Sequence, residues 1–162
     1  MLLKNNKLIA NLDDLKAICD KHKKSGKKIV ITNGCFDILH SGHTYLLEEA
    51  KKIGDILVLA LNSDKSIKNL KSDLRPIVNE TDRAYVLSCL SSIDYIILFD
   101  EDSPEKIIHE ILPDILVKGS DYKNQEIAGA QYMRDKGKEI KLIDLVEDKS
   151  TTSIIEIILK KN

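Results

Sequence analysis

Two of the four histidines of this chain lie three residues apart, at His40 and His43, with Gly42 between them. Imidazoles can donate hydrogen bonds to phosphoryl oxygens, and a glycine lets the backbone approach a ligand closely. An apolar run that ends in Asn33-Gly34 precedes the pair, which predicts a strand, a tight turn and the start of a helix. A helix N-terminus presents unpaired N–H groups and a positive dipole to anions. These residues therefore predict a phosphate site.

Other motifs for phosphate or metal give weaker signals. Neither G-x-G-x-x-G after the first strand nor G-x-x-x-x-G-K-[ST] occurs, so the histidine stretch has to supply the phosphate contacts. Cys35 and Asp37 could instead join the two histidines as ligands of a metal ion. The turn would point these side chains in different directions, so we predict no metal site built by the protein. His22 and His109 lie on predicted helices among charged residues and are interpreted as surface residues.

Short apolar runs alternate with helical patterns along the chain. Five runs predict strands, which are Ile29 to Thr32, Ile56 to Leu61, Tyr95 to Phe99, Ile115 to Val117 and Ile140 to Leu145. The helical patterns are Tyr45 to Ile53, Asn79 to Leu90 and Asn124 to Lys136, with a leading helix around Leu12 to Ile18 and a closing helix from about Thr152. Ser103-Pro104-Glu105 marks another helix start, and Gly137 marks a helix end.

This alternation predicts one α/β domain over residues 1–162. We expect a Rossmann-like open parallel sheet of about five strands with helices on both faces. With the first predicted strand central, the strand order reverses between the first and fourth strands, and ligands bind at such a point. The segment from Asn33 to His43 should then face the segment from Lys118 to Tyr122. This position favours a functional histidine pair over a surface pair that caps a helix.

The composition limits the classes of function. Hydrophobic residues make up 43% and charged residues 31% of the 162 residues, and the net charge is −1, a balance typical of soluble globular proteins. Without a global basic field, we expect no nucleic-acid binding. The longest uncharged apolar run, Ile56 to Leu61, is far below the roughly 18 residues of a membrane span, so we expect no membrane insertion. Cys19, Cys35 and Cys89 form no CxxC pair, which favours the reducing cytoplasm.

Further motifs accompany the histidines in a fixed order. They are Leu61-Asn62-Ser63-Asp64, Leu70-Lys71, Arg75-Pro76-Ile77, Leu112 to Tyr122, Glu126-Ile127-Ala128-Gly129 and Ser150-Thr151-Thr152-Ser153. Together with the segment from Asn33 to His43, this set resembles the HxGH nucleotidyltransferase superfamily, and within it the adenylyltransferase domains of ADP-heptose synthases. The resemblance covers nearly the whole chain.

The resemblance implies a reaction. AMP passes from ATP to a sugar 1-phosphate, here D-glycero-β-D-manno-heptose 1-phosphate, giving an ADP-sugar for lipopolysaccharide or another surface glycan, and pyrophosphate. The attacking phosphate monoester has a second pKa of about 6 and is already an anion at neutral pH, so it requires no general base. Catalysis then consists of positioning and charge neutralisation. The implied Mg²⁺ is held mainly by triphosphate oxygens and water.

The resemblance also implies roles for the residues that match its motifs. His40, His43 and Lys71 are predicted to be catalytic, the histidines by stabilising charge on the α-phosphate. The predicted nucleotide-binding residues are Asn33, Gly34, Cys35, Phe36, Gly42, Lys118, Gly119, Asp121, Tyr122, Ser150, Thr151 and Thr152. Asp37 and Arg75 are predicted to bind the sugar phosphate, with Asp37 acting by orienting another group.

The chain departs from the family's pattern in two places. Ser72-Asp73 follows Lys71 where many relatives have glycine, and in the segment 147–149 only Lys149 can replace an arginine of related cytidylyltransferases. The cationic residues from 65 to 75 are interpreted as a solvated loop, except for Lys71 and Arg75, which are predicted to contact phosphate.

Three alternatives stay open at this point. They are a polyol-phosphate cytidylyltransferase, such as one using glycerol 3-phosphate, a nucleotide-sensing module without turnover, and a metal-dependent hydrolase. The expected partners are a nucleoside triphosphate and a sugar 1-phosphate. Because 162 residues leave no room for the sugar kinase that is often fused to this domain, we expect a separate kinase in the pathway. The oligomer that the resemblance implies is a homodimer.

Overall fold

A parallel β-sheet organises the chain in the computed structural model, which describes residues 6–123, 125–144, 146 and 149–161. Within these ranges the sheet has six strands, in the order β1-β4-β3-β2-β5-β6. The strands are β1 (Leu8–Ile9), β2 (Ile29–Gly34), β3 (Ile56–Asn62), β4 (Tyr95–Phe99), β5 (Ile115–Gly119) and β6 (Glu139–Ile143). All neighbouring pairs are parallel. The predicted open parallel sheet is confirmed, with one strand more than predicted.

Helices cover both faces of this sheet. Over the described ranges they are α1 (Leu12–Lys24), α2 (Ser41–Lys52), α3 (Asp64–Leu70), α4 (Glu80–Ser88), α5 (Glu105–Ile111), α6 (Ala130–Asp135) and α7 (Thr151–Lys160), with a 3-10 turn at Ser120–Tyr122. One hydrophobic cluster packs α1, α5 and α6 on what we call the α1 face, and another packs α2 and α4 on the α2 face. In the part of the chain that is described, no helix combines the length and hydropathy of a membrane span.

Side chains of the central strand alternate between the two faces. Ile29 and Ile31 belong to the α1-face cluster and Val30 to the α2-face cluster, as the period of two in a strand requires. β2 pairs with β3 on one side and with β5 on the other, where Thr32 lies opposite Val117. The predicted reversal of strand order beside the first long strand is confirmed, and the ends of β2 and β5 meet at one edge of the sheet.

Three predictions of local structure were wrong. β1 was missed because two residues are too few to produce a period. Residues 65–70 were predicted as loop, yet they lie in α3, whose N-cap Ser63 accepts a hydrogen bond from the Ser66 N–H at 3.1 Å. The helix predicted from Asn124, which lies outside the described residues, begins only at Ala130, because Gly129 has a left-handed φ of 80°. Leu145, the predicted end of the last strand, is also outside the described residues.

Candidate active site

A cleft of about 590 Å³ opens at the carboxyl ends of β2, β3 and β5. Every residue predicted for the site lies on its wall, and the segments that begin at Asn33 and Lys118 face each other across it. Lys149 and four residues of the quoted motifs, to which no role was assigned, also line it, and these four are Asn62, Leu70, Glu126 and Ala128. The lining residues outside the motifs are Thr32, Leu46, Asp102, Pro104 and Val146. The cleft thus brings the predicted residues together, while their individual roles stay predictions.

The two histidines form a stacked pair at the start of α2. His40 is the N-cap residue, and its Nδ1 accepts a hydrogen bond from the Gly42 N–H at 3.2 Å. The rings of His40 and His43 have centroids 3.8 Å apart and planes inclined by 26°. Because Nδ1 of His40 is an acceptor, the proton of its neutral form is assigned to Nε2. The same residue therefore caps the helix and keeps an N–H for a ligand.

The environment of His43 keeps its imidazole neutral. Burial, together with the neighbouring His40 and Lys71, lowers its pKa to about 4. Burial and Lys149 lower the pKa of His40 as well. A phosphate bound beside these rings would favour their protonated forms and raise both pKa values.

Two glycines allow the backbone of the turn to pack closely. A Cβ on Gly42 would lie 3.0 Å from Cε1 of His40 and 3.3 Å from Cβ of Lys149. A Cβ on Gly34 would lie 2.9 Å from Cε2 of Phe36, which itself has a left-handed φ of 46°. Such a φ is uncommon for a residue other than glycine and marks a tightly constrained turn.

Asp37 fastens this turn to the segment that follows α3. Its carboxylate accepts hydrogen bonds from Arg75 Nε at 2.6 Å and from the N–H groups of Ile77 and Val78, both at 2.8 Å. Burial opposes the charge, but these donors outweigh it and lower the pKa of Asp37. The carboxylate is 1% exposed and engaged by these donors, so it orients Arg75, which lines the cleft.

Arg83, which was not predicted, also connects the turn after β2 with the segment that follows α3. Its guanidinium is fully buried and donates to the carbonyl oxygens of Val78, Cys35 and Asn62 and to the carboxylate of Asp64, at 2.6 to 2.9 Å. These partners belong to the turn after β2, the end of β3, the first residue of α3 and the segment before α4. Arg83 therefore joins, from the buried side, the loops and helix starts that surround the cleft.

Lys118 places a buried ammonium group at the end of β5. Its Nζ donates to the Asn33 carbonyl oxygen at 3.4 Å and lies 4.7 Å from the ring centroid of Tyr122. The residue is 7% exposed, and burial lowers its pKa to about 8. An ammonium group has three donors, so this one has donors left for an anionic ligand.

Three buried side-chain atoms within the described ranges have no hydrogen-bond partner. They are Oγ1 of Thr32, Oδ1 of Asn33 and Nδ1 of His43. Buried polar atoms in native proteins are nearly always paired, and these three residues all line the cleft. The pattern indicates a site whose polar contacts are completed by a ligand or by water.

The start of α7 lies beside the histidine turn, because Lys149, the residue before its N-cap, packs against Gly42. Ser150 is its N-cap residue, and its Oγ accepts from the Ser153 N–H at 3.0 Å. Thr151, Thr152 and Lys149 also line the cleft. A helix N-terminus with hydroxyl groups and a neighbouring cation is suited to phosphate.

The alternative metal cluster is not assembled. No group of three or more histidine, cysteine, aspartate or glutamate side chains within the described ranges is arranged to hold a metal ion. Asp37 already accepts from Arg75, and burial raises the pKa of the Cys35 thiol, which disfavours the thiolate that metals bind.

Known structures are similar to this chain. A lipopolysaccharide core biosynthesis protein from Thermoplasma volcanium has a TM-score of 0.61 and 31% sequence identity, and the match covers 76% of this chain and 100% of that one. Pantothenate synthetase from Thermus thermophilus matches with a TM-score of 0.63 over 87% of this chain and 62% of that one. At 15% identity, the second likeness concerns the fold alone.

Several similar sequences carry the name bifunctional protein HldE. The bifunctional protein HldE of a Nitratiruptor species is 50% identical over 148 residues, which are 91% of this chain and 31% of that protein. That of Helicobacter pylori (strain J99) is 52% identical over 142 residues, or 88% of this chain and 30% of that protein. The chain therefore spans less than a third of the length of these relatives.

A family model identifies the broader family of the chain. The model described as cytidylyltransferase-like matches residues 31–157, a range that includes most of β2, the histidine pair and the start of α7. Because this match spans most of the chain, the chain belongs to the cytidylyltransferase-like family.

Proposed function

We propose that the chain is an adenylyltransferase that transfers AMP from ATP to D-glycero-β-D-manno-heptose 1-phosphate and releases pyrophosphate. The observation that carries this proposal is the stacked pair of His40 and His43, at a helix start that faces Lys118 across the cleft. The relatives named HldE and the lipopolysaccharide core biosynthesis protein support the choice of heptose. Heptose, ATP and a homodimer belong to this proposal.

The histidines would act on the α-phosphate. His40 offers its Nε2–H to a phosphoryl oxygen, and His43 lies against it, with a buried Nδ1 that has no partner among the described residues. As the acceptor oxygen attacks, negative charge is distributed over the oxygens of the α-phosphate, and donors fixed in advance stabilise this charge without reorganising. The role of the pair is electrostatic, and the phosphate acceptor needs no base to deprotonate it.

The remaining cations would neutralise the phosphates of both substrates, with Arg75 on the sugar phosphate and the others on the triphosphate. Lys71, Arg75 and Lys149 line the cleft, and the N-terminus of α7 lies beside them. Mg²⁺ would add charge neutralisation through the triphosphate oxygens. The oxygen donors for this ion would come from the nucleotide and water, with carboxylates such as Asp121 at the wall available to its hydration shell.

The experiment measures pyrophosphate release with ATP or CTP, each paired with heptose 1-phosphate or glycerol 3-phosphate. We expect ATP with heptose 1-phosphate to react at least about ten times faster than the other pairs, because a buried polar group left unpaired by the wrong base costs about 1 to 3 kcal/mol. Faster turnover of CTP with glycerol 3-phosphate would favour the polyol-phosphate cytidylyltransferase instead. Nucleotide binding without pyrophosphate release from any pair would indicate a sensing module.

A further inference from the structure

The cleft has two chemically different sides. On the α2 face it is lined by His40, His43 and Lys149, all of which can donate to phosphate. On the α1 face it is lined by residues that we call the α1-side wall, and these are Asn33, Asp102, Pro104, Glu126 and Ala128. The side chains of this wall include two carboxylates, and a cation, Lys118, lies beside it, since its ammonium group donates to the Asn33 carbonyl oxygen at 3.4 Å.

The strand period and the packing of neighbouring residues assign this wall to the α1 face. Asn33 follows Ile29 and Ile31 at intervals of two, and both pack on that face. Pro104 leads into α5, and Ala128 follows Ile127, which belongs to the same cluster.

The α1-side wall is held firmly. The Gly129 N–H donates to Glu105 Oε1 at 3.1 Å, which fixes the segment 126–129 on the start of α5. A Cβ on Gly129 would lie 2.7 Å from Cδ1 of Ile108, so the backbone lies directly against that helix. The Asn69 side-chain amide donates to Asp102 Oδ1 at 3.2 Å. These contacts hold the backbone of the segment 126–129 against α5 and orient the Asp102 carboxylate.

The chemistry of this wall suits a neutral polyhydroxyl group. Carboxylates repel a triphosphate, but they accept hydrogen bonds from sugar hydroxyls, as does an amide oxygen. Oδ1 of Asn33 is buried without a partner in the described part of the chain, and the Glu126 carboxylate lines the cleft at an exposed position. These acceptors are therefore open to donors from a ligand.

The direction of attack on the α-phosphate indicates which substrate the α1-side wall binds. The attacking and leaving oxygens of a phosphoryl transfer lie on opposite sides of the reacting phosphorus. With the pyrophosphate on the side of Lys149 and the α7 N-terminus, the acceptor has to approach from the α1 face. We propose that the α1-side wall binds the hydroxyl groups of the acceptor sugar. The residues that determine acceptor specificity would be Asp102, Glu126 and Asn33, so Asn33 would contact the acceptor in place of the nucleotide for which it was predicted. This assignment rests on the proposed function.

The test compares KM values for both substrates in Glu126→Gln and Asp102→Asn, two substitutions at exposed positions. Each substitution removes the negative charge and replaces one acceptor oxygen by an NH2 donor. We expect each to raise KM for heptose 1-phosphate about tenfold, because a charged hydrogen bond is weakened, with KM for ATP unchanged. Glu139→Gln, an exposed carboxylate on β6 away from the cleft, serves as the matched control. With ethyl phosphate, an acceptor without sugar hydroxyls, the variants and the wild type should have the same KM for the acceptor.

The outcomes distinguish a wall that binds the sugar from one that binds the nucleoside. A higher KM for ATP in place of the sugar phosphate would mean that the wall binds the nucleoside, and would overturn the inference. Unchanged KM values in both variants, with a normally active wild type, would also overturn it and leave the proposed function intact. A wild type that releases no pyrophosphate with heptose 1-phosphate would overturn the proposed function itself.

Discussion

Arg75 Nε donates a hydrogen bond of 2.6 Å to Asp37 Oδ2, in a pair whose side chains are 14% and 1% exposed. Asp37 belongs to the turn after β2, and Arg75 follows Lys71 by four residues, so this pair connects the histidine turn to the cationic segment. The Arg75 N–H also donates to the Ser72 carbonyl oxygen at 3.0 Å. The turn that carries the histidines therefore positions Arg75 and the segment 72–75 that leads to it.

Asp37→Ala should lower both stability and activity. The substitution leaves the N–H groups of Ile77 and Val78 and the charge of Arg75 without their acceptor, which destabilises a buried site. We expect kcat to fall by more than about tenfold because Arg75 loses its position. Thermal melts and steady-state kinetics measure the two effects.

Asp114→Ala is the matched control for this substitution. Asp114 also accepts hydrogen bonds from a backbone N–H, that of Ile29, and from a cation, Lys138. It lies at the opposite end of β2 from the cleft. Its loss should lower the melting temperature and leave kcat near normal. Equal losses of kcat in the two variants would contradict the positioning role of Asp37.

Substitution of either histidine should affect turnover more than nucleotide binding. If His40 and His43 donate to charge that develops in the transition state, His→Ala at each position should lower kcat about 10²- to 10³-fold. Folding should largely survive, since neither ring is part of the hydrophobic core. Steady-state kinetics with thermal melts measure this, and a folded His43→Ala variant with near-normal kcat would eliminate the proposed role.

Lys71→Ala should reduce activity far more than Lys65→Ala. Lys71 lines the cleft, where a compact positive charge stabilises phosphate. Lys65 is 71% exposed and pairs with Asp100 at 3.7 Å, a contact worth little in water. Parallel kinetic assays provide the comparison, and similar activities of the two variants would mean that Lys71 has no special role.

The free energy of unfolding should fall in mild acid because of His43. Its pKa is about 4 in the folded chain and about 6.5 when unfolded. Between these values the unfolded state binds more protons, so stability is fully present above pH 6.5 and decreases toward pH 4. Denaturant titrations should show that His43→Asn loses about 2 kcal/mol less than the wild type between pH 7 and pH 5. Parallel losses would show that His43 is not held neutral by burial.

The fold was largely predictable because long apolar runs determine it. Ile56–Asn62 is buried at every position, so its strand was found from the sequence alone, and the central position of β2 followed from the alternation of elements. α3 was not found, because its seven residues are mostly polar and its helix depends on the Ser63 cap. The late start of α6 depends on the φ of Gly129, which a periodic pattern does not encode.

The candidate site was predictable where a local motif marks it and not where tertiary contacts create it. The histidine turn and the start of α7 carry local signals. Arg83 carries no such signal, because an arginine within a helix pattern indicates a solvent-facing position. In the structure it lies four residues before the buried Leu87 and on the same inner face of α4. The carboxylates of the α1-side wall come from two distant segments that only the folded chain brings together.

The most direct test of nucleotidyl transfer follows an oxygen label from the acceptor. Heptose 1-phosphate with ¹⁸O in its phosphate is incubated with ATP, Mg²⁺ and the protein, and the products are identified by ³¹P NMR and mass spectrometry. Attack of the sugar phosphate on the α-phosphate predicts ADP-heptose and pyrophosphate in equal amounts, with ¹⁸O in the sugar nucleotide and none in pyrophosphate. Formation of AMP or ADP without a sugar nucleotide would contradict the proposed transfer.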